Sequence, residues 1–241
     1  MSAAANNPAK DGQRANLFGR IRDALGADAN RADYEDGRIR AVADRLGFHP
    51  RGPQPARSVG AGEHDEAHRH RLFVAKAFEA AATVELLASR AELPQAIARY
   101  LRQNNLPPRL RLAPGAGLDA LDWASTPMLE ISSGASDGSD PASLTTPFAA
   151  IAETGTLMLV SGETSPVTLA FLPETHFVLM RKDQIAGTLE AAFDRLRAAH
   201  GNTMPRAINF VTGPSRSADI EQTLQMGAHG PKRLHILLVD E

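Results

Sequence analysis

In "NLFGRIRDALG", Leu17, Ile21 and Leu25 recur at the spacing of one helical face, and Gly26 follows as a stop. "EDGRIRAVADRLGF" repeats the pattern with Ile39, Val42 and Leu46 before Gly47. The proline-rich "HPRGPQPAR" then reads as a linker. These stretches predict a helical arm and linker over residues 15–58. The small, polar residues 1–14 predict a disordered tail. An amphipathic arm needs a surface against which to bury its stripe, on its own domain or on a partner.

The pattern changes after residue 59, where the main domain is expected to begin and to run to 241. A first helix carries Val74, Phe78 and Ala81 on one face. "TVELLA" reads as a strand, Leu93 to Leu101 as a helix, "RLRLA" as a strand, "GLDALDW" as a short helix and "PMLEISS" as a strand. "GASDGSDPAS" is a loop by composition. "FAAIAETG" predicts a short helix, followed by the strands "TLMLVSG", "VTLAFLP" and "THFVLMR". The short turns between these strands predict antiparallel neighbours. A longer helix follows, with Asp183 as N-cap and Ile185, Leu189, Phe193 and Leu196 at helical spacing. The end reads strand (207–211), helix (216–226), strand (234–239). Strands alternating with helices predict an open α/β sheet covered on both faces, and the tight middle strands make it mixed.

Composition narrows the function. The chain has 241 residues, is 43% hydrophobic and carries a net charge of −2, so it can bury one large core and offers no basic field for nucleic acid. It has no cysteine, which excludes disulfides, thiol catalysis and any cysteine-held iron–sulfur or zinc site on this chain. "MSAAANNPAKDGQR" lacks the apolar centre of a secretory signal, and no apolar run approaches the ~20 residues of a membrane span. A cytoplasmic location is expected.

Three stretches offer chemistry. In "INFVTGPSRSADIEQTL" a strand breaks at Gly213 and a helix is expected to follow. The unpaired N–H groups of a helix start, with Ser215, Arg216 and Ser217, would form an anion cradle. Ordinary capping by Ser215 or Ser217, with Asp219 in the first turn, explains the same residues. The spacing is not that of a Walker loop. In "AIAETGT", Glu153 is expected at a helix C-terminus, where the dipole disfavours it. It is a candidate base or nucleophile. The competing reading is a local turn network of Thr154, Gly155 and Thr156. In "GAHGPKRLHILLVD", His229 sits between glycines and can reach a cleft. His235, inside a strand, reads as a core residue, and His176 fits either role. "EHDEAHRH" places His64 and His68 on one helix face but shows no third metal ligand, so no metal site is expected. "PGAGLDAL" is a weak dinucleotide fingerprint and reads better as a strand-to-helix loop.

"AIAETGTLMLVSG", "FLPETHFVLM", "VTGPSRSADIEQTL" and "GAHGPKRLHILLVDE" together, in this order, resemble the LUD-domain family, and within it the lactate utilization protein C type. The resemblance covers roughly residues 65–241 and is densest from 148 onward. It implies a three-layer α/β/α open mixed sheet of the kind shared by glucosamine-6-phosphate isomerases, ribose-5-phosphate isomerases and CoA transferases. It implies a role in oxidation of L-lactate to pyruvate beside iron–sulfur partner proteins, which would hold all the redox cofactors. A small anionic ligand (lactate, pyruvate or a phosphate-like group) would then sit near Glu153–Thr156 and Gly213–Ser217, with Glu153 and His229 as proton-handling candidates. Two other readings stay open: an independent isomerase or CoA-transferase-like enzyme acting on a sugar phosphate or CoA ester, and a purely structural assembly subunit.

Overall fold

The computed structural model describes residues 16–21, 31–48, 52–53, 65–115, 117–201, 203–218, 224–227 and 229–240. The chain divides into two compact units, Met1–Pro53 and Gln54–Glu241. In the first unit, residues 16–21 are helical and α1 spans Arg31–Phe48. Gly47 therefore lies inside the helix instead of ending it, and Leu25 and Gly26 fall outside the described residues. The expected apolar stripes do exist, and they are exposed: Ile39 is 66% and Leu46 67% accessible.

The second unit is built on a six-stranded parallel sheet of β1 (Thr83–Leu87), β2 (Arg109–Leu112), β3 (Glu130–Ser133), β4 (Ala142–Thr145), β7 (Thr175–Arg181) and β12 (Arg233–Val239). Its spatial order is β1-β12-β7-β4-β2-β3. The middle strands β7 and β12 are covered on both faces, which is why "THFVLM" and "LHILLV" read as nearly unbroken apolar runs. A smaller sheet, ordered β8-β5-β6-β9, holds β5 (Ala149–Ile151), β6 (Thr156–Val160), β8 (Ile185–Ala186) and β9 (Ile208–Val211). The antiparallel neighbours expected among "TLMLVSG", "VTLAFLP" and "THFVLMR" are not found; β6 pairs antiparallel with β5 and β9. β7 instead joins the parallel sheet.

Alternate residues of the same strands feed different layers of core. Phe177 and Leu179 of β7 pack with Leu93, Ile97 and Leu101 of α3 (Leu93–Gln103). Val178 and Met180 face the other way, onto Phe73 and Ala77 of α2 (Glu66–Glu79) and onto Ala150 and Leu157 of the small sheet. The far face of the small sheet, Ile151 and Met158, packs on Ala192 and Leu196 of α5 (Leu189–His200). One face of the parallel sheet is thus covered by helix, and the other by helix and sheet together.

Several elements differ from the expectation. The buried face of α2 is Phe73 and Ala77, while Phe78 is 52% exposed. "FAAI" is strand β5, because it finds β6 and β8 as partners. "VTLAFLP" contains a short helix, α4 (Thr168–Phe171), and "GLDALDW" forms turns that end in a single 3-10 turn at Trp123–Ser125. Asp183 is not the N-cap of α5; Thr188 is, its hydroxyl accepting from the Ala191 N–H at 3.2 Å. Where a helix was expected over residues 216–226, the described residues at its two ends are strands. β10 (Arg216–Ala218) pairs antiparallel with β11 (Leu224–Met226), and residues 219–223, Asp219 among them, lie outside the described residues.

Candidate functional site

The three chemistry-bearing stretches do meet in space. Thr154 and Thr156 hydroxyls lie 2.7 Å apart, and Thr156 reaches the Thr212 hydroxyl at 2.6 Å, which joins the "ETGT" turn to the "VTGPS" turn. The Ser215 N–H donates to the Pro231 carbonyl at 2.8 Å, and the His229 N–H donates to the Ser215 hydroxyl at 3.3 Å, which joins "VTGPS" to "GAHGP". Sequence order thus becomes a contiguous corner just before the amino ends of β1 and β12.

The internal logic of that corner is largely packing. Gly155 and Gly213 both have positive φ, +67° and +77°. A Cβ on Gly155 would lie 2.5 Å from the Ala77 nitrogen, and one on Gly213 would lie 2.0 Å from the Ala80 carbonyl oxygen. The two glycines are notches that admit the end of α2. The anion cradle loses its main physical basis, because the 216–218 backbone is paired in a strand ladder and presents no row of orphan helix-start donors. Arg216 remains exposed, and Ser217 sits in β10.

Glu153 also has a structural task. It follows β5, not a helix, and its carboxylate accepts the Leu189 N–H at 2.8 Å, at the first turn of α5. An anion there satisfies an orphan donor and complements the helix dipole. Glu153→Gln is therefore expected to cost about 1 kcal/mol of stability, measured by urea unfolding, since a neutral acceptor loses the dipole contribution. A wild-type unfolding midpoint would show that the cap carries no weight.

The two strand histidines are core residues. His176 is fully buried, with Nε2 2.8 Å from the Thr145 hydroxyl and Nδ1 without a hydrogen-bond partner among the described residues. Burial pushes its pKa down to about 4. His235 is 4% exposed, with Nδ1 2.7 Å from the Thr83 hydroxyl and Nε2 3.5 Å from a Glu85 oxygen, and Glu85 in turn pairs with Arg99. Burial again lowers its pKa, to about 4, against the opposing pull of Glu85. Among the described residues no group of three or more His, Cys, Asp or Glu could hold a metal, and no helix is long and apolar enough to cross a membrane. His64 lies outside the described residues.

Residues 141–239, from β4 through β12 and including the whole corner, match the family model for the LUD domain. Over those residues the chain is similar to the LUD domain. Over 93 residues the chain is 40% identical to lactate utilization protein C of Geobacillus sp. (strain WCH70) and 39% identical to that of Bacillus subtilis (strain 168). Each match covers 38% of this chain and 39% of the relative, so the likeness spans about two fifths of those proteins. The crystal structure of a DUF162 family protein from Deinococcus radiodurans superposes with a TM-score of 0.56 at 26% identity, covering 73% of this chain and 99% of that one. The open α/β architecture around this segment thus has a solved counterpart.

A polar cavity elsewhere in this unit carries no signal in the sequence. Arg90, Thr146, Arg181 and Gln184 line a cavity of about 160 Å³ at the carboxyl edge of the parallel sheet. None of the four belongs to a motif. Their common signal is position, each lying at or just past the end of a buried strand or in the turn that follows it.

Proposed function

We propose that this chain is a lactate-utilization protein: a component without redox groups of its own that acts beside iron–sulfur proteins in the oxidation of L-lactate to pyruvate and binds a small carboxylate. The observation that carries this reading is the match, 40% identical over 93 residues, to lactate utilization protein C of Geobacillus, beside the likeness of residues 141–239 to the LUD domain. Chain chemistry supports the division of labour. Removing a hydride equivalent and a proton from lactate requires an electron acceptor, and a chain with no cysteine cannot ligate an iron–sulfur cluster through thiolates. The acceptor then belongs to partner proteins, and this subunit contributes binding and assembly.

The test is genetic and biochemical together. Deletion of the gene is expected to abolish growth on L-lactate while growth on pyruvate continues. Gentle affinity purification from lactate-grown cells is expected to recover iron–sulfur proteins with this chain. Normal growth of the deletion strain on L-lactate, with the chain recovered alone, overturns the reading.

A further inference from the structure

A cavity of about 620 Å³ lies between α3, the loop that follows it and the turn that leads into β3. It falls within residues 95–129, before the segment that matches the LUD domain. Gln95, Ala98, Arg99 and Arg102 recur at three- and four-residue spacing, so they share one face of α3. That face is distinct from the one that Leu93, Ala96 and Ile97 bury in the core. Leu101 and Leu129, both nearly inaccessible, form the floor. Across from α3 stand Pro127 and Met128. The Gln95 amide nitrogen donates to the Ser125 hydroxyl at 2.7 Å, which ties the two walls together. The far wall is braced as well: the Leu129 N–H donates to the Thr126 carbonyl at 2.9 Å, and the Glu130 N–H to the Pro108 carbonyl at 2.8 Å. Hydrogen-bonded walls thus keep the hollow open.

Size and charge define what fits. Most of the lining is aliphatic or proline carbon, and Met128 at the mouth is 81% exposed. Carbon left in water on a concave wall favours an apolar guest, and the volume is that of a small-molecule pocket. At about 30 Å³ per liquid water, 620 Å³ corresponds to about twenty waters, which sets the guest at about ten to twenty heavy atoms. Two guanidiniums and no carboxylate line the cavity. Arg99 is paired with Glu85 of β1. Arg102, exposed in the last turn of α3, has no ion pair or side-chain hydrogen bond among the described residues. One unmatched positive charge at the mouth of an apolar hollow complements a guest with an apolar body and one anionic end. The guanidinium fork matches a planar carboxylate.

We propose that the cavity between α3 and the turn before β3 binds a free amphipathic monocarboxylate, its apolar body in the hollow and its carboxylate on Arg102. Lactate and pyruvate are too small to fill this space, so the site is additional to any for those acids and stands apart from the lactate-utilization reading. The test is calorimetric titration of the full chain with butyrate, octanoate and octanol. Octanoate is expected to bind more tightly than butyrate, by about twofold to fourfold for each added methylene. Octanol, with the same tail and no charge, is expected to bind several-fold more weakly than octanoate. Arg102→Gln is expected to weaken octanoate binding by about fivefold and to leave octanol unchanged. Misfolding would weaken both ligands alike, so this selective loss reads recognition. Ala98→Phe, which fills the hollow from the α3 side, is expected to abolish the binding of both. Failure of the wild type to bind octanoate, equal affinity for butyrate and octanoate, unchanged octanoate binding by Arg102→Gln, or retained binding by Ala98→Phe overturns the site. Dimerisation that Ala98→Phe abolishes, read by analytical ultracentrifugation and found without octanoate binding, gives the cavity to a second copy of the chain and overturns the proposal too.

Discussion

Gly213→Ala is expected to lower the melting temperature of the chain by about 10 °C or more, followed by far-ultraviolet circular dichroism. Two separate costs add. The residue sits at φ +77°, where a side chain costs roughly 1–2 kcal/mol. The new Cβ would also stand 2.0 Å from the Ala80 carbonyl oxygen and 3.0 Å from its carbon. Those are backbone atoms just past the end of α2, so no rotamer change relieves the clash. Either the turn or the helix end must move, at a further cost of about 1–3 kcal/mol or more. Together these approach a large fraction of the ~5–15 kcal/mol that stabilises a typical domain. Gly138→Ala is the matching control. Its φ is +97°, but nothing lies within 4 Å of the added carbon. It is expected to show the conformational cost alone. Equal melting temperatures for the two variants would refute the notch.

Acid is expected to destabilise the fold sharply below about pH 6.5, and the two buried histidines are the cause. Each has a folded-state pKa of about 4, below its ordinary value of 6.5. The unfolded chain therefore takes up protons first as pH falls. The stability associated with neutral His176 and His235 is complete above about pH 6.5 and is lost progressively as pH drops toward about 4. The slope is about 1.4 kcal/mol per pH unit for each group, or roughly 3 kcal/mol each across the window. Urea unfolding measured from about pH 7 to about pH 5 reads this directly. His176→Gln, which keeps a polar group facing Thr145, is expected to flatten the slope by about one histidine's share. His235→Gln provides an independent second reading, because Thr83 and Glu85, not Thr145, face that ring. A slope that neither substitution changes assigns the acid sensitivity to carboxylates instead.

Buried strands were legible in the sequence because burial on both faces leaves a signature that needs no knowledge of partners. "FVLM" in β7 and "ILLV" in β12 are unbroken apolar runs, and these strands became the middle of the sheet. Segments whose form depends on a distant partner were not legible. "FAAI" carries no preference strong enough to declare itself a strand until β6 and β8 flank it. Residues 216–226 have a helical period that strand pairing overrides. The proximity of "ETGT", "VTGPS" and "GAHGP" was anticipated, and their hydroxyl and backbone contacts bear it out. Gly155 and Gly213, read as turn positions, do take positive φ, and they also admit backbone from the end of α2, which the sequence could not show. Arg90 and Arg181 could not stand out among the many arginines of the chain. Only the strand order places them on one edge.

That strand order also bears on how the protein is made. β12, latest of the sheet's strands along the chain, lies inside the sheet, between β1 and β7. Until it arrives, β1 and β7 each present an apolar edge with unpaired backbone groups, the kind of surface that recruits neighbouring chains. A nascent chain on the ribosome thus carries an open seam until β12 emerges, and that strand closes it.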